Sequence, residues 1–347
     1  EILIGLVGSE MCIRDRGYTG KPDSYYNAII NWVKQRYDLI VTKEVINFVP
    51  GIVPGIGMAM NCFTQKGDKV MIQPPVYHPF AWVTTRNERT LVINPLRWEN
   101  GMYRMDLDAF REQIKGCKLF ILCNPHNPGG VVWTEAELRA IADICYDEKV
   151  LVFSDEIHAD LTLPPHTHRP FATVSEKARM NSVTFMSPSK AFNMPGLSAS
   201  HALIFNEDLR KRFRIYMDAG ELDMGHVFAF LSVEAAYSHG TEWLDQCLAY
   251  IQGNIDFVDE FLKKHAPKIK AIRPEASYLV WLDCRELELS QKDLNEFFVD
   301  KAHLALNDGE MFGKEGIGFM RLNVASPRCI IEKAMKQLAD AYQLYIK

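Results

Sequence analysis

A lysine just beyond a buried strand is the first candidate for chemistry in this sequence. Residues Ser182–Met186 predict a short apolar strand that ends at Ser187 and leads into a turn containing Lys190. Most lysines lie on solvated faces, because burying an ammonium group is costly. A lysine held beside Ser187 and Ser189 could form a Schiff base with a carbonyl cofactor that carries a phosphate. The alternative is a surface lysine in a turn rich in serine and proline.

A carboxylate and an imidazole follow another predicted strand, Val150–Phe153. Asp155 lies at the end of the sequence LVFSDE, and His158 comes three residues later. A desolvated carboxylate there needs a cationic or donor partner. A protonated pyridine nitrogen would be such a partner for Asp155, and the pair would keep the ring an electron sink. His158 could form a hydrogen bond to such a ring or stack on it. The alternatives are an N-cap or ion-pair role for Asp155 and a packing role for His158.

Two asparagines, a tyrosine and an arginine are further candidates. Asn124 and Asn127, in NPHNPGG, are either turn residues or, for Asn127, an amide donor to a phenolate oxygen. Tyr77 either packs in the core or stacks on a planar ring. Arg321, in GFMRLNVAS, is either on an exposed strand face or a buried clamp for an anion, since arginine suits bidentate carboxylate binding.

The sequence LPPHTHR raises the alternative of a metal site. His166 and His168 form an H-x-H pair, with Asp155, Glu156 and His158 upstream, and such a pair on a strand can ligate a metal. The proline-rich surroundings and the lack of a third ligand at strand spacing favour a solvated loop instead. We therefore expect no metal.

Predicted strands and helices alternate from Asp68 to Met186. The strands are Asp68–Gln73, Leu91–Asn94, Lys118–Cys123, Val150–Phe153 and Ser182–Met186; the helices run from the N-cap Asp106 through Lys115 and over Glu135–Asp147, with Thr134 and Glu137 as a capping box. This order predicts an α/β fold with a largely parallel sheet covered by helices. Ligands of such sheets bind outside the carboxyl ends of the strands, where Tyr77, Asn124, Asn127, Asp155, His158 and Lys190 all fall.

The flanking segments predict an N-terminal helix and a second, smaller α+β unit. Val45–Val49 is a predicted strand, and the turn Pro50–Gly57 leads into a helix, Ile56–Phe63, whose N-terminus is a generic anion site. Beyond a strand at His201–Ile204, long helices are predicted. The C-terminal part predicts strands at Tyr278–Leu282, Ala302–Leu306 and Gly318–Asn323 and helices at Lys292–Val299 and Cys329–Tyr345.

Composition narrows the functional classes. The 347 residues are 48% hydrophobic and 24% charged, with a net charge of -5, so neither nucleic acid nor an anionic membrane is an expected partner. The eight cysteines form no C-x-x-C pair and are expected to be reduced thiols of a cytoplasmic protein. No apolar run is long enough for a membrane helix. Residues 1–16 show no clear period and are interpreted as a fragment or artefact.

Four motifs occur in an order that resembles a known family: NPHNPGG, SDEIHADL, SPSKAFNMPGL and GFMRLNVA. They resemble the fold-type I pyridoxal-phosphate enzymes, the aminotransferase class I/II superfamily. The stretches GYTGKPDSYYNAIINW, QPPVYHPF, EASYLVWLD and ALNDGEMFGKEGIGFMRLN are similar to its cystathionine β-lyase or C–S lyase branch, the MalY/PatB group. The resemblance extends from about Gly17 to the C-terminus.

The resemblance implies pyridoxal 5'-phosphate as cofactor and a role for each matching residue. Lys190 would form the Schiff base, Asp155 would pair with the pyridine nitrogen, and Tyr77 would stack on the ring. His158 and Asn127 would lie near the ring hydroxyl, and Arg321 would clamp the substrate carboxylate, with Asn124 also near the substrate. The phosphate would be bound by Ser187, Ser189, the N–H groups of Ile52 and Val53, and Tyr18 of a neighbouring subunit, since sites in this family are shared across a homodimer.

The resemblance also implies domains and an activity. Residues 17–44 would be an arm and helix, 45–255 the large cofactor-binding domain with a seven-stranded, mostly parallel sheet, and 256–347 the small domain. The boundary itself, near Gly253–Val258, is inferred from the predicted elements, since strands follow the long helices only from Ile269 onward. The implied activity is β-elimination from cystathionine or related cysteine S-conjugates. The alternatives are an aminotransferase, which would use the same residues, and a dimeric regulatory protein.

Two departures from the family pattern bear on that choice. Many aminotransferases of the superfamily have a phosphate-binding arginine eight residues after the lysine, and Ser198 stands there instead. This difference disfavours an aspartate aminotransferase and suits the lyase branch. Family members also have an N-terminal Trp-Val-Ala-Asp-Met-like stretch that lines the site, and residues 1–16 do not resemble it.

Overall fold

The computed structural model describes residues 20–345, so the predictions for residues 1–16 and for Tyr18 lie outside the described residues. The helices are α1 (Asp23–Tyr37), α2 (Ile52–Phe63), α3 (Pro79–Arg86), α4 (Leu107–Gln113), α5 (Glu135–Asp147), α6 (Glu176–Met180), α7 (Glu207–Ala219), α8 (Val227–His239), α9 (Thr241–His265), α10 (Gln291–Glu296) and α11 (Arg328–Tyr345).

Strands of this part of the chain belong to three sheets. They are β1 (Ile46–Val49), β2 (Lys69–Ile72), β3 (Thr90–Ile93), β4 (Arg97–Glu99), β5 (Met102–Arg104), β6 (Cys117–Cys123), β7 (Leu151–Asp155), β8 (Ser182–Met186), β9 (Ser200–Leu203), β10 (Lys270–Ile272), β11 (Leu279–Asp283), β12 (Asn307–Asp308) and β13 (Phe319–Asn323).

The largest sheet has seven strands in the order β1-β9-β8-β7-β6-β2-β3. Strands β3, β2, β6, β7 and β8 pair in parallel, and β9 pairs antiparallel with both β8 and β1. The carboxyl ends of β2, β6, β7 and β8 therefore meet at one edge. This arrangement confirms the predicted α/β fold with a mostly parallel seven-stranded sheet.

Both faces of this sheet are covered, because successive side chains of a strand point to opposite faces. In β6, Phe120 and Leu122 pack in a core that includes helix α5, whereas Leu119 and Ile121 pack in a core that includes α2 and α7. Continuous apolar strands such as FILC are the sequence signature of a sheet buried on both sides.

A second sheet lies in the C-terminal part, with antiparallel strands in the order β10-β11-β13-β12. Along β13, Met320 and Leu322 are buried in the core shared with α9 and α11, so the alternate residue Arg321 points to the opposite face. This sheet lies within the predicted domain 256–347. The division at residue 255 within helix α9 stays a prediction.

Several predicted elements differ from the structure. The predicted strand Ala302–Leu306 is wrong: a π-helical turn, Phe297–Lys301, extends α10, and the alternating Ala302, Leu304 and Leu306 pack as a loop against the core. Helix α2 begins at Ile52, four residues earlier than predicted, because Gly51 adopts φ 119° and starts the helix directly after β1. Helix α3 and the hairpin β4–β5 were not predicted.

The sequence predicted the N-terminal caps of two helices correctly, but not the residue at which one of these helices ends. The Thr134 and Glu137 capping box is present, and Asp106 accepts a hydrogen bond from the Ala109 N–H at 3.0 Å, although α4 ends at Gln113. In residues 20–345, no helix combines the length and apolarity needed to cross a membrane.

Candidate active site

A cavity of about 510 Å³ opens at the carboxyl ends of the parallel strands, against the second sheet. It brings together nine of the predicted site residues, which come from six separate parts of the chain: Ile52, Val53, Tyr77, Asn127, Asp155, His158, Ser189, Lys190 and Arg321. Strand order explains most of this meeting, since β2, β6, β7 and β8 end at one edge of the sheet, whereas Arg321 comes from β13 of the second sheet.

Lys190 lies in a loop closed by its own hydrogen bonds. The Ser187 hydroxyl donates to the Ala199 carbonyl at 2.7 Å and accepts from the Ser189 N–H at 3.1 Å, while the Met194 N–H donates to the Ser189 carbonyl at 2.9 Å. Burial lowers the pKa of Lys190, and the positive charge of Arg321 lowers it further, against an opposing effect of Asp155. The site therefore shifts the lysine toward the neutral, nucleophilic amine relative to a lysine in water.

Asp155 is the last residue of β7 and is 3% exposed. One carboxylate oxygen accepts a hydrogen bond from the Ile157 N–H at 3.1 Å. Burial raises the pKa of Asp155 to about 7, and the nearby Glu156 adds to the increase. A buried carboxyl with this pKa needs a cation beside it to stay ionised at neutral pH, so the site is suited to a positively charged ligand group.

His158 and Asn127 present polar atoms to the same cavity. His158 Nδ1 is buried and has no hydrogen-bond partner among the described residues, and burial lowers the pKa of the ring to about 3, so the imidazole is neutral. The Asn127 Oδ1 accepts from Arg321 Nη1 at 2.9 Å, which leaves the amide N–H₂ group of Asn127 to donate elsewhere. Both side chains can bind an oxygen of a ligand ring.

The N-terminus of helix α2 forms one wall of the cavity. Its first N–H groups, on Ile52 and Val53, have no partner within the helix, as in any helix N-terminus, and they lie where the helix dipole favours an anion. Gly51 precedes them with φ 119°, a conformation that side chains other than glycine rarely adopt. Ser198 also lines this cavity, at the position where the family pattern has an arginine.

Arg321 is held from three sides. Its Nη1 donates to Asn127 Oδ1 at 2.9 Å, its Nη2 donates to Asn307 Oδ1 at 2.7 Å, and its Cζ lies 4.6 Å from the centroid of the Phe312 ring. Burial lowers the pKa of Arg321 to about 10, so the guanidinium stays charged at neutral pH. Its Nε is buried and unpartnered among the described side chains, which is consistent with a site for a carboxylate.

Two further carboxylates hold the segment that carries Asp155 and His158. Glu156 accepts from the Ser154 hydroxyl and the Phe171 N–H, each at 2.8 Å, and its other oxygen lies 2.8 Å from His168 Nε2. Asp160 accepts from the Trp32 indole at 2.9 Å and from the Tyr37 hydroxyl, so helix α1 also anchors this segment. His168 is therefore buried, in contrast to the predicted solvated loop, while His166 stays partly exposed.

Between residues 20 and 345, no three histidine, cysteine, aspartate or glutamate side chains lie close enough together to hold a metal ion.

The structure disagrees with two predicted ligand contacts. Asn124 is fully buried outside the cavity, and its amide donates to the Arg169 carbonyl at 3.2 Å, so it supports the loop rather than lining the site. Ser187 does not line the cavity either, because its hydroxyl is used to close the Lys190 loop. Strand-end position predicted the neighbourhood of both residues but could not predict the direction of the side chains.

Sequence reasoning missed Tyr278, which lines the cavity at the start of β11. The segment before it is attached to the Asn127 loop: the Glu275 and Ala276 N–H groups both donate to the Gly130 carbonyl, at 2.8 and 3.1 Å. Gly130 has φ 70°, and an added Cβ would lie 2.5 Å from Pro274. The close approach of Pro274 and the positive φ both require glycine at this position. The last glycine of NPHNPGG was therefore the sequence feature that could have indicated a close contact between this loop and the segment before Tyr278.

Asn307 was also missed, and it lies opposite Arg321 in the β12–β13 pair.

Comparison with known proteins shows the family of this chain. The model of the family described as aminotransferase class I and II matches residues 16–338. Cystathionine β-lyase PatB of Bacillus subtilis (strain 168) is 38% identical over 327 residues, which cover 94% of this chain and 84% of PatB.

Two solved structures are similar in fold and sequence. The PLP-bound putative aminotransferase from Clostridium difficile 630 is 39% identical with a TM-score of 0.93, covering 98% of this chain and 88% of that chain. Cystalysin from Treponema denticola, whose crystal structure contains pyridoxal 5'-phosphate, is 33% identical with a TM-score of 0.94, covering 99% of this chain and 88% of that chain.

Proposed function

This chain belongs to the aminotransferase class I and II family, and from that premise we propose that it is a pyridoxal-phosphate-dependent carbon–sulfur β-lyase. It cleaves cystathionine or a related L-cysteine S-conjugate to a thiol, pyruvate and ammonia. The observation that carries the proposal is the similarity to PatB over 94% of the chain, together with a cavity in which Lys190, Asp155 and Arg321 meet.

The unpaired polar groups of the cavity fit pyridoxal 5'-phosphate. Asp155 has a raised pKa despite the charge of the nearby Lys190, and it forms no ion pair among the described residues; a protonated ring nitrogen would supply a paired cation. The free His158 Nδ1 and the Asn127 amide suit a ring hydroxyl, and the N-terminus of α2 with Ser189 suits the phosphate. When bound, this cofactor supplies a carbonyl carbon for the substrate amine and a ring that accepts electron density from Cα.

Arg321 and Lys190 perform the positioning and the proton transfer. The Arg321 guanidinium binds the substrate α-carboxylate, and its fixed orientation aligns the Cα–H bond for removal. The neutral Lys190 amine, once free, takes that proton as general base. The Cβ–S bond then breaks, the sulfur leaves with the bonding electrons as a thiolate, and water converts the remaining three carbons to pyruvate and ammonia.

The decisive measurement is pyruvate release from L-cystathionine by purified protein with pyridoxal phosphate and no added keto acid. We expect catalytic release, because elimination needs no amino-group acceptor. An aminotransferase is the second candidate, since a structural relative at 39% identity carries that description. Turnover that begins only after a keto acid is supplied would contradict elimination and support that candidate.

We also propose a homodimer with shared active sites. In support, helix α8 exposes two large apolar side chains one turn apart, Phe228 at 57% and Leu231 at 53%. Adjacent exposed apolar side chains are typical of protein–protein contacts, whereas single scattered ones need no explanation. We expect sedimentation to give about twice the chain mass of 39.7 kDa, and Leu231→Glu to give monomers with little activity.

Tyr146→Glu is the control, because Tyr146 is similarly exposed on α5. Fully active monomers of Leu231→Glu would show that the sites are not shared.

The proposed location is the cytoplasm. The seven cysteines of the described part are free thiols, and buried free thiols are common in proteins of reducing compartments. Detection of the protein in the cytoplasmic fraction of its source cells would support this proposal, and detection only outside the cell would contradict it.

A further inference from the structure

A second cavity, of about 310 Å³, adjoins the active site beside Lys190. The two cavities share five lining residues, namely Ser189, Lys190, Pro195, Tyr278 and Asn323. A substrate whose Cα lies next to the Lys190 amine therefore has this second cavity within reach of its Cβ substituent. We call it the side cavity.

One face of helix α9 forms the outer wall of the side cavity. Trp243, Cys247, Tyr250 and Ile251 line it, at positions i, i+4, i+7 and i+8, which lie on one helix face. Trp243 stacks on Phe192 with ring centroids 5.8 Å apart, and the Tyr250 hydroxyl accepts from the Arg328 N–H at 2.6 Å. Both rings are thus held in place while half of each side chain stays exposed.

The chemistry of this wall favours apolar groups. Apart from the shared Lys190, no charged side chain of the described residues lines the side cavity; its other members are aromatic, aliphatic, proline, cysteine and small polar residues. The distal half of cystathionine ends in a carboxylate and an ammonium group. Both would lose water there without an opposite charge to pair with, which is unfavourable, whereas an aryl or alkyl group would gain contact with two aromatic rings.

We propose that the side cavity binds the sulfur substituent of the substrate and selects L-cysteine S-conjugates with an aromatic or bulky apolar substituent over cystathionine. This inference rests on the proposed lyase function and adds its substrate class. Trp243 is the main specificity-determining residue, because its ring is fixed by Phe192 and belongs to the side cavity but not to the first cavity.

The test compares kcat/KM for S-benzyl-L-cysteine, S-methyl-L-cysteine and L-cystathionine, measured as pyruvate release by the holoenzyme. We expect the benzyl conjugate to exceed cystathionine by about tenfold or more, the usual range for apolar pocket discrimination. Trp243→Ala should lower kcat/KM for the benzyl conjugate by about tenfold. It should leave S-methyl-L-cysteine within about twofold, since a methyl group does not reach the ring.

A charge introduced on the same wall gives a second, independent variant. Cys247→Asp should lower kcat/KM for the benzyl conjugate and raise it for S-(2-aminoethyl)-L-cysteine, whose ammonium would pair with the new carboxylate. Tyr146→Ala is the matched control, a half-exposed aromatic residue on α5 that lines neither cavity, and it should change no ratio. If Trp243→Ala impairs folding, turnover of the methyl conjugate falls as well, and Cys247→Asp decides.

The outcomes separate the two proposals. Equal kcat/KM for all three conjugates, or a uniform effect of Trp243→Ala and Cys247→Asp on every substrate, would overturn the side-cavity proposal and leave the lyase function standing. No pyruvate from any conjugate would refute the lyase function itself, and the substrate class with it.

Discussion

Lys190→Ala should lower kcat for pyruvate formation by roughly 10⁴-fold, since in the proposed mechanism this one residue would supply both the covalent link to the cofactor and the general base. The visible absorbance of the protein-bound cofactor should shift to that of free pyridoxal phosphate. The physical basis is the buried position of Lys190, which lowers the pKa of its amine and so raises the fraction that is neutral and nucleophilic. Stopped-flow pyruvate detection and absorption spectra of the purified variant measure both effects.

Two controls show whether the loss is chemical. Lys336→Ala removes an exposed lysine of α11 and should retain full activity. Added methylamine should partly restore turnover by Lys190→Ala, because it supplies an amine to the space left by the side chain. Unchanged absorbance and turnover in Lys190→Ala would remove this lysine from the mechanism.

Asp155→Asn should lower kcat by roughly 150- to 5,000-fold. Breaking a buried charge pair costs about 3–5 kcal/mol, and each 1.36 kcal/mol is tenfold in rate. The amide keeps the shape of the side chain and its acceptor for the Ile157 N–H but cannot balance a protonated ring nitrogen. Steady-state kinetics with Asp155→Glu as control, which restores the charge, tests this; a kcat within threefold of wild type in Asp155→Asn would contradict the pairing.

The raised pKa of Asp155 should also affect how the stability of the cofactor-free protein depends on pH. Burial raises the pKa of Asp155 to about 7, from an ordinary value of 3.8, so between these values the folded protein holds a proton that the unfolded chain has released. Because the folded state binds more protons than the unfolded state in this window, the free energy of unfolding falls as pH rises through it. Urea unfolding from pH 5 to 7 should therefore show a steeper loss in wild type than in Asp155→Asn, and equal slopes would place the pKa of Asp155 near its ordinary value.

The sequence was sufficient to predict the central sheet, and it predicted nine residues that the structure brings to one cavity. Apolar runs such as LFILC and SVTFM, alternating with predicted helices, favour a sheet covered on both faces, and the parallel order then brings Asp155, Asn127 and Lys190 to one edge. These inferences rest on local periodicity and on a topological rule, which require no knowledge of side-chain contacts.

Only the tertiary structure decided which polar side chains face the cavity. Asn124 and Asn127 are three residues apart in the same loop, yet one donates to the Arg169 carbonyl and the other lines the cavity. Ser187 likewise uses its hydroxyl for its own loop, whereas Ser189 lines the site. The direction of a side chain in a loop depends on hydrogen bonds to distant segments, and no periodic pattern encodes these.

The second sheet and the side cavity show the same difference between what sequence patterns predict and what tertiary packing decides. The alternating residues 302–306 read as a strand in the sequence, but the packing surface offered by α10 and α11 made them a loop. Trp243 and Tyr250 read as ordinary helix positions, and only the packing of α9 beside the Lys190 loop made them a wall of a cavity. Periodicity therefore determined which segments are buried, and long-range packing determined which of their side chains meet a ligand.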